Sequence, residues 1–270
     1  MSVKPPRSIR LIQGVAVLAI GLTLILVAGV IYSANSLLAA SSTVSMKTAQ
    51  KTSKLVGQTT VTAARSPRWR VLALGDSLTF GFGDASGRGF AGDVRQRLQR
   101  AGRLASYVNL GVNGLTSKGL LQQLRQPEVQ RLVATSNLLL VSIGGNDLRD
   151  AITPNHIQAH ALSVAVRQFD TRLRACLLIL RTYNPHALIM LVGLYNPYLG
   201  ELTQPLATTQ VILHFNENME EMTAHYPGVI VVRTFDLFEN QPSNWLTIDH
   251  FHPNEQGYAR IAERVWQDLQ

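Results

Sequence analysis

Five short apolar runs punctuate the chain, at residues 71–74, 107–110, 138–143, 187–194 and 229–232. Continuous runs of this length read as strands buried on both faces. Between them lie longer segments whose apolar residues recur three and four positions apart. These predict helices over 93–101, 117–124, 156–182, 208–225 and 254–269. Regular alternation of strand and helix predicts an α/β fold, with a five-stranded parallel sheet sandwiched between two helical layers. There is no repeat of fixed period. The longest irregular stretch after a strand, 195–207, contains Pro197, Gly200 and Pro205. It reads either as one wall of a pocket or as a plain surface connection.

An earlier run has a different character. Residues 11–32 are almost wholly apolar, with Gln13 and Thr23 the clearly polar exceptions, and Lys4, Arg7 and Arg10 precede them. A stretch of that length crosses a hydrocarbon core as one helix, and its flanking positive charges stay in the cytoplasm. The expected organisation is a cytoplasmic basic tail at 1–10, a transmembrane signal-anchor at 11–32, a flexible Ser/Thr/Ala/Lys linker at 33–67 and a folded domain at 68–270 outside the cytoplasm. The competing reading is a cleaved leader and a secreted domain. The candidate cleavage regions near Ala34 and Ala40 lack a clean Ala-x-Ala, which favours the anchor. The single cysteine, Cys176, lies far downstream in a helical pattern, so it offers neither an intramolecular disulfide nor a lipid attachment near the apolar run.

Charge separates the two regions. Residues 1–70 carry nine Lys and Arg and no acid, so the whole-chain formal charge of +8 leaves −1 for residues 71–270. The basic character belongs to the leading segment, which can rest on anionic lipid headgroups. The folded part shows neither a basic patch nor a reading motif, so no nucleic-acid partner is expected.

Chemistry concentrates where strands end. The first run stops at Gly75-Asp76-Ser77, the second at Gly111-Val112-Asn113-Gly114, the third at Gly144-Gly145-Asn146-Asp147, and Asp249-His250-Phe251-His252 precedes the last helix. In a parallel sheet these segments share the carboxyl edge, where open α/β folds place their ligands. Each alone is ordinary turn or cap chemistry. Together they supply an acyl-transfer site. Ser77 is the nucleophile, His252 the base that takes its proton, and Asp249 the carboxylate that orients the imidazole. The backbone N–H groups of Ser77 and Gly114 and the side-chain amide of Asn146 are the oxyanion donors. His250 is the lesser candidate for the base, since two residues along an extended segment point it elsewhere. Asp76 and Asp147 read as structural acceptors for loop backbone.

On these four blocks, in this order, the chain resembles the SGNH or GDSL hydrolases over essentially all of 70–270. The resemblance implies a three-layer flavodoxin-like fold and metal-free ester hydrolysis through an acyl-enzyme, without a cofactor. It implies the roles already given to Ser77, Gly114, Asn146, Asp249 and His252. The opening Gly-Asp-Ser-Leu-Thr-Phe-Gly is most similar to small bacterial esterases of the thioesterase and lysophospholipase-like branch.

Other motifs fail on spacing. Thr79 stands where a Gly-x-Ser-x-Gly elbow needs glycine. The glycines at 81, 83, 87 and 89 form no dinucleotide fingerprint. His156 and His160 have i, i+4 spacing but no intervening glutamate, so they read as helix-face residues rather than metal ligands. The expected activity is hydrolysis of acyl esters, with lipid or lysophospholipid-like substrates, or O-acetyl groups on cell-wall or surface glycans. A surface-binding module without activity is the reading from another class. Phe80, Phe82, Phe90, Tyr195 and Tyr198 suggest apolar pocket walls, although core packing accounts for aromatics equally well.

Overall fold

A computed structural model describes residues 68–153, 156–200 and 205–270. The chain divides into two units, Met1–Val61 and Thr62–Gln270, and every described residue lies in the second. The expected tail, anchor and linker at 1–67 lie outside the described residues. Among the described residues no helix is long and apolar enough to cross a membrane.

The elements run in the order β1 (Trp69–Gly75), α1 (Ser77–Phe80), α2 (Gly89–Arg100), β2 (Leu104–Gly111), α3 (Ser117–Leu124), α4 (Pro127–Thr135), β3 (Leu138–Ser142) and α5 (Gly145–Leu148). They continue through β4 (Ile152–Thr153), β5 (His156–Ile157), α6 (Ala159–Tyr183), β6 (Leu188–Val192), α7 (Pro205–Thr223), β7 (Val229–Val232), α8 (Phe235–Glu239) and α9 (Glu255–Asp268). Five strands form one sheet in the order β2-β1-β3-β6-β7, and every pairing in it is parallel. The chain thus starts near the middle, steps once to one side and then winds outward on the other. The reversal of winding beside β1 opens a crevice at the carboxyl ends of the strands.

Strand alternation decides which layer each side chain joins. Leu72, Leu74, Leu139, Val141, Ile189 and Leu191 face one core, closed by side chains from α3, α4, α6 and α7. Val71, Ala73, Leu138, Leu140, Met190 and Val192 face the other, closed by α2 and α9. The covering helices carry matching stripes. In α9, Tyr258, Ile261, Ala262 and Val265 are buried, one stripe of a 3.6-residue period. The side chain of Asn254 starts that helix by accepting from the Gly257 N–H at 3.0 Å.

Three expectations need correction. Residue 156 does not begin a helix: Ile152–Thr153 pairs antiparallel with His156–Ile157, and α6 starts at Ala159. His156 and His160 therefore share no helix face. A helix the pattern did not announce, α4, lies between α3 and β3. Its signals were Pro127 at the first turn, Glu128 beside it and the buried pair Val129 and Val133. Strand β2 runs longer than its apolar stretch because it is a half-exposed edge, where Ser106 and Asn109 are tolerated.

Candidate active site

Ser77 sits at the first position of α1, directly after β1. The turn demands Gly75: its φ is +130°, and a Cβ there would lie 2.0 Å from the Ser142 carbonyl oxygen. No other residue lets β1 pass β3 so closely. Asp76 then caps α1, its carboxylate accepting from the Leu78 N–H at 3.1 Å and from Ser142 Oγ at 2.6 Å. Thr79 joins the same buried cluster, with its N–H on Ser142 Oγ at 3.1 Å and its hydroxyl on the Leu74 carbonyl at 3.0 Å. Burial raises the Asp76 carboxyl above its ordinary value, and the bonds from Ser142 and Leu78 only partly offset this.

The segment before α9 brings the other side chains to Ser77. His252 Nε2 lies 3.0 Å from Ser77 Oγ, and His252 Nδ1 lies 2.7 Å from Asp249 Oδ2. An ionised carboxylate only accepts, so Nδ1 carries the ring proton and Nε2 presents its lone pair to the hydroxyl. Asp249 Oδ1 gathers the N–H groups of Phe251 and His252, each at 2.9 Å, and the hydroxyl of Thr247. Burial works against ionisation of Asp249, but these bonds outweigh it and hold the carboxyl well below the usual range. His250 is exposed, at φ +54°, and its N–H donates to the Thr247 carbonyl at 3.0 Å.

Gly114 and Asn146 arrive from the ends of β2 and β3. Asn146 Nδ2 donates one hydrogen to the Leu115 carbonyl at 2.9 Å, which fixes the amide beside Gly114 and leaves its second hydrogen for a ligand. Gly114 has φ +77°, and nothing lies within 4 Å of where a Cβ would stand. The neighbouring loops are cross-braced. Asp147 accepts from the Ser117 N–H at 2.8 Å and from the Ser117 hydroxyl, and Arg172 lies 3.5 Å from the same carboxylate. Asp76 and Asp147 are thus both acceptors for loop groups, as expected. Among the described residues the N–H groups of Ser77 and Gly114 have no protein acceptor. Asp249, His252 and Ser77 are therefore joined in one hydrogen-bonded relay, Asn146 lines the same cleft, and its bond to Leu115 brings Gly114 to the same sheet edge. Serine, imidazole, carboxylate and a set of unpaired donors are the parts needed to add a hydroxyl to an ester carbonyl and hold the resulting oxyanion.

A cleft opens beside Ser77 and His252, and its lining is mostly apolar, with Leu148, Ile152, Leu194, Tyr198, Ile212 and Phe251 beside the charged Arg149. Tyr195, Pro197 and Tyr198 line it, so the start of 195–207 contributes to a pocket wall. Of the other aromatics, Phe90 is buried in the core, while Phe82 packs on the His252 ring at 4.6 Å between centroids. Two supporting residues, Thr247 and Tyr258, escaped the sequence reading, and Tyr195 entered it only as a pocket wall and not as a hydrogen-bond donor. Thr247, two positions before Asp249, had a local signal as a hydroxyl able to bond its neighbour's carboxylate. Tyr195, which donates to the Phe251 carbonyl at 2.6 Å, and Tyr258, which donates to the Phe82 carbonyl at 2.7 Å, had none, because their partners are remote in sequence.

Residues 73–260 match the GDSL-like lipase/acylhydrolase family. The chain belongs to that family, and its activity is that of a carboxylic ester hydrolase. Among curated proteins it is 32% identical over 206 residues to YpmR of Bacillus subtilis (strain 168), covering 74% of this chain and 80% of that one. It is 25% identical over 202 residues to the spore germination lipase LipC of Bacillus licheniformis, covering 72% of this chain and 92% of that one. Among solved structures, the lipase Lip_vut3 from a goat rumen metagenome shares the fold at a TM-score of 0.64 and 23% identity, covering 73% of this chain and 95% of that one. The acetylxylan esterase Axe2 from Geobacillus stearothermophilus does so at 0.57 and 19%, covering 75% and 94%.

Proposed function

We propose that this chain is a membrane-anchored serine esterase that works outside the cytoplasm on acyl esters of lipid or lysophospholipid type. The observation that carries the catalytic part is the relay from Asp249 Oδ2 through His252 to Ser77 Oγ, at 2.7 and 3.0 Å. His252 Nε2 takes the Ser77 proton as Oγ attacks the ester carbonyl, and the imidazolium that forms is stabilised by Asp249. The oxyanion lies against the N–H groups of Ser77 and Gly114 and the free amide hydrogen of Asn146. His252 then gives its proton to the departing alcohol, leaving Ser77 acylated. A water, deprotonated by the same imidazole, releases the acid.

The cleft supports the substrate class. An acetyl group needs no walls beyond the oxyanion donors, whereas Leu148, Ile152, Ile212 and Tyr198 offer a longer acyl chain an apolar lining. The apolar run at 11–32 supports the anchor, with the folded domain on the far side of the bilayer from Lys4, Arg7 and Arg10.

The test is an ester panel from acetyl upward, read on the wild type and on Ser77→Ala. Activity should rise with acyl length and vanish in the variant. Undiminished activity of Ser77→Ala removes the nucleophile, and a strict acetyl preference replaces lipid with an O-acetyl substrate. Membrane extraction and amino-terminal sequencing of the mature protein test the anchor, which a new terminus near Asn35 or Ser41 would overturn.

A further inference from the structure

We infer that Arg149 selects esters that carry an anionic group, a phosphate or a carboxylate, close to the carbonyl under attack. This rests on the acyl-ester reading of the site and adds a chemical class to its substrate. Of the acidic and basic residues that line the cleft, Asp76 and His252 already have tasks. Asp76 accepts from the Leu78 N–H and from Ser142 Oγ beneath Ser77, and His252 faces the Ser77 hydroxyl. Arg149 is the remaining one, and acyl transfer itself gives it nothing to do.

An exposed arginine is ordinary on a surface, but this one has a particular place. It continues α5 with φ −54° and ψ −39°, three residues after Asn146. Side chains at that spacing share a helix face, with Cβ atoms about 5–6 Å apart. The guanidinium arm therefore starts one turn from the amide that offers its free hydrogen to the oxyanion. Its charge also reaches Tyr198, another residue of the lining. Burial raises the Tyr198 phenol above its ordinary value, and the Arg149 charge pulls it back.

No internal partner claims the guanidinium: among the described residues it makes neither a hydrogen bond nor an ion pair. The acids around it are disposed elsewhere. Asp147 holds Ser117 and lies 3.5 Å from Arg172, and Asp249 is bonded to Thr247, Phe251 and His252. Asp150 is outside the lining. A permanent cation among apolar side chains favours a ligand of opposite charge over an uncharged one of the same shape. The planar fork of a guanidinium matches two oxygens of a carboxylate or phosphate. The ester that fits is both apolar and anionic.

The test uses the full-length protein and three water-soluble esters: butyrylglycerol, butyrylglycerol phosphate and the glycerol monoester of glutaric acid. The first is neutral, the second carries its anion on the alcohol and the third on the acyl chain. The ratio of kcat/KM on an anionic ester to that on butyrylglycerol should fall about tenfold in Arg149→Gln, as expected for one charge-assisted contact. The fall should lie mainly in KM, because the anion does not change charge during the reaction. Arg149→Lys keeps the charge and should restore much of the ratio. A fall confined to the phosphate ester places the anion on the departing alcohol, and one confined to the glutaryl ester places it on the acid. Arg167→Gln removes the same charge from an exposed position on α6, outside the cleft lining, and should keep the wild-type ratio. Both ratios unchanged in Arg149→Gln, or an equal fall in Arg167→Gln, overturns the proposal. Undiminished hydrolysis of all three esters by Ser77→Ala would instead overturn the acyl-enzyme reading, so the two failures are distinguishable.

Discussion

The phenol of Tyr195 donates to the Phe251 carbonyl at 2.6 Å, tying the exit of β6 to the residue before His252. Tyr195 is buried and stacked on Phe238, so its hydroxyl is held by both the ring packing and the bond. Tyr195→Phe keeps the packing and orphans one carbonyl. A hydrogen bond of this kind contributes about 1 kcal/mol net, which for a domain of this size lowers Tm by about 2–4 °C. Loosening the carbonyl next to His252 should also lower kcat several-fold with little change in KM. Thermal unfolding and steady-state kinetics on one ester check both, and an unchanged kcat would show that the His252 loop is held without Tyr195.

Asp249 differs from an exposed carboxylate because it organises its own loop. Asp249→Asn places an amide where two backbone N–H groups and a ring N–H converge, so part of the loop loses its acceptor. If the catalytic roles proposed for Ser77 and His252 hold, kcat should fall by on the order of 10³–10⁴, since the wrong tautomer is favoured. The sign of the pH effect follows from the depressed value of this group. It contributes stability that is complete above the ordinary carboxylate range and is lost as pH falls through the depressed folded value. Acid unfolding of the wild type should therefore show a decline that Asp249→Asn lacks, measurable by circular dichroism across that window.

Asn146 and Gly114 are separable by experiment. Asn146→Ala removes a donor and should cost on the order of 10²–10³ in kcat with KM nearly constant. Gly114→Ala meets no clash, because the space around it is open, yet φ +77° costs a residue with a Cβ about 1–2 kcal/mol. Its expected signature is lower stability together with lower kcat. A variant that loses stability and keeps full activity would show that the position of the Gly114 N–H does not depend on glycine at this φ.

The polar/apolar alternation sufficed for the sheet and its covering helices, because buried parallel strands must be apolar on both faces and helices must carry a stripe. It failed at β4 and β5, where two-residue strands leave no period to detect. It also passed over α4, whose start is marked by a proline and not by a long stripe. The candidate site was legible for a related reason: parallel topology sends every strand end to one edge, so residues remote in sequence could be grouped without coordinates. The bonds made by Tyr195, Tyr258 and Ser142 were invisible because each reaches a partner dozens of positions away.

Asp76 offers the sharpest test of the buried layer beneath Ser77. Its carboxyl is raised because burial disfavours the charge, with the bonds from Ser142 and Leu78 pulling the other way. A group raised in the folded state contributes stability that is full below its unfolded value and is lost as pH rises through the folded one. Asp76→Asn retains an acceptor for Leu78 and Ser142 but brings two amide hydrogens into a site built for an acceptor, at a cost of about 1–3 kcal/mol. At acid pH, where Asp76 is neutral, the variant should therefore melt below the wild type. As pH rises the wild type alone bears a buried charge, so the gap in Tm should narrow. Melting curves at closely spaced pH values from acid to mildly alkaline check this. A gap that widens with pH would mean that the ionised Asp76 is net stabilising, with its hydrogen bonds and the nearby His252 outweighing burial.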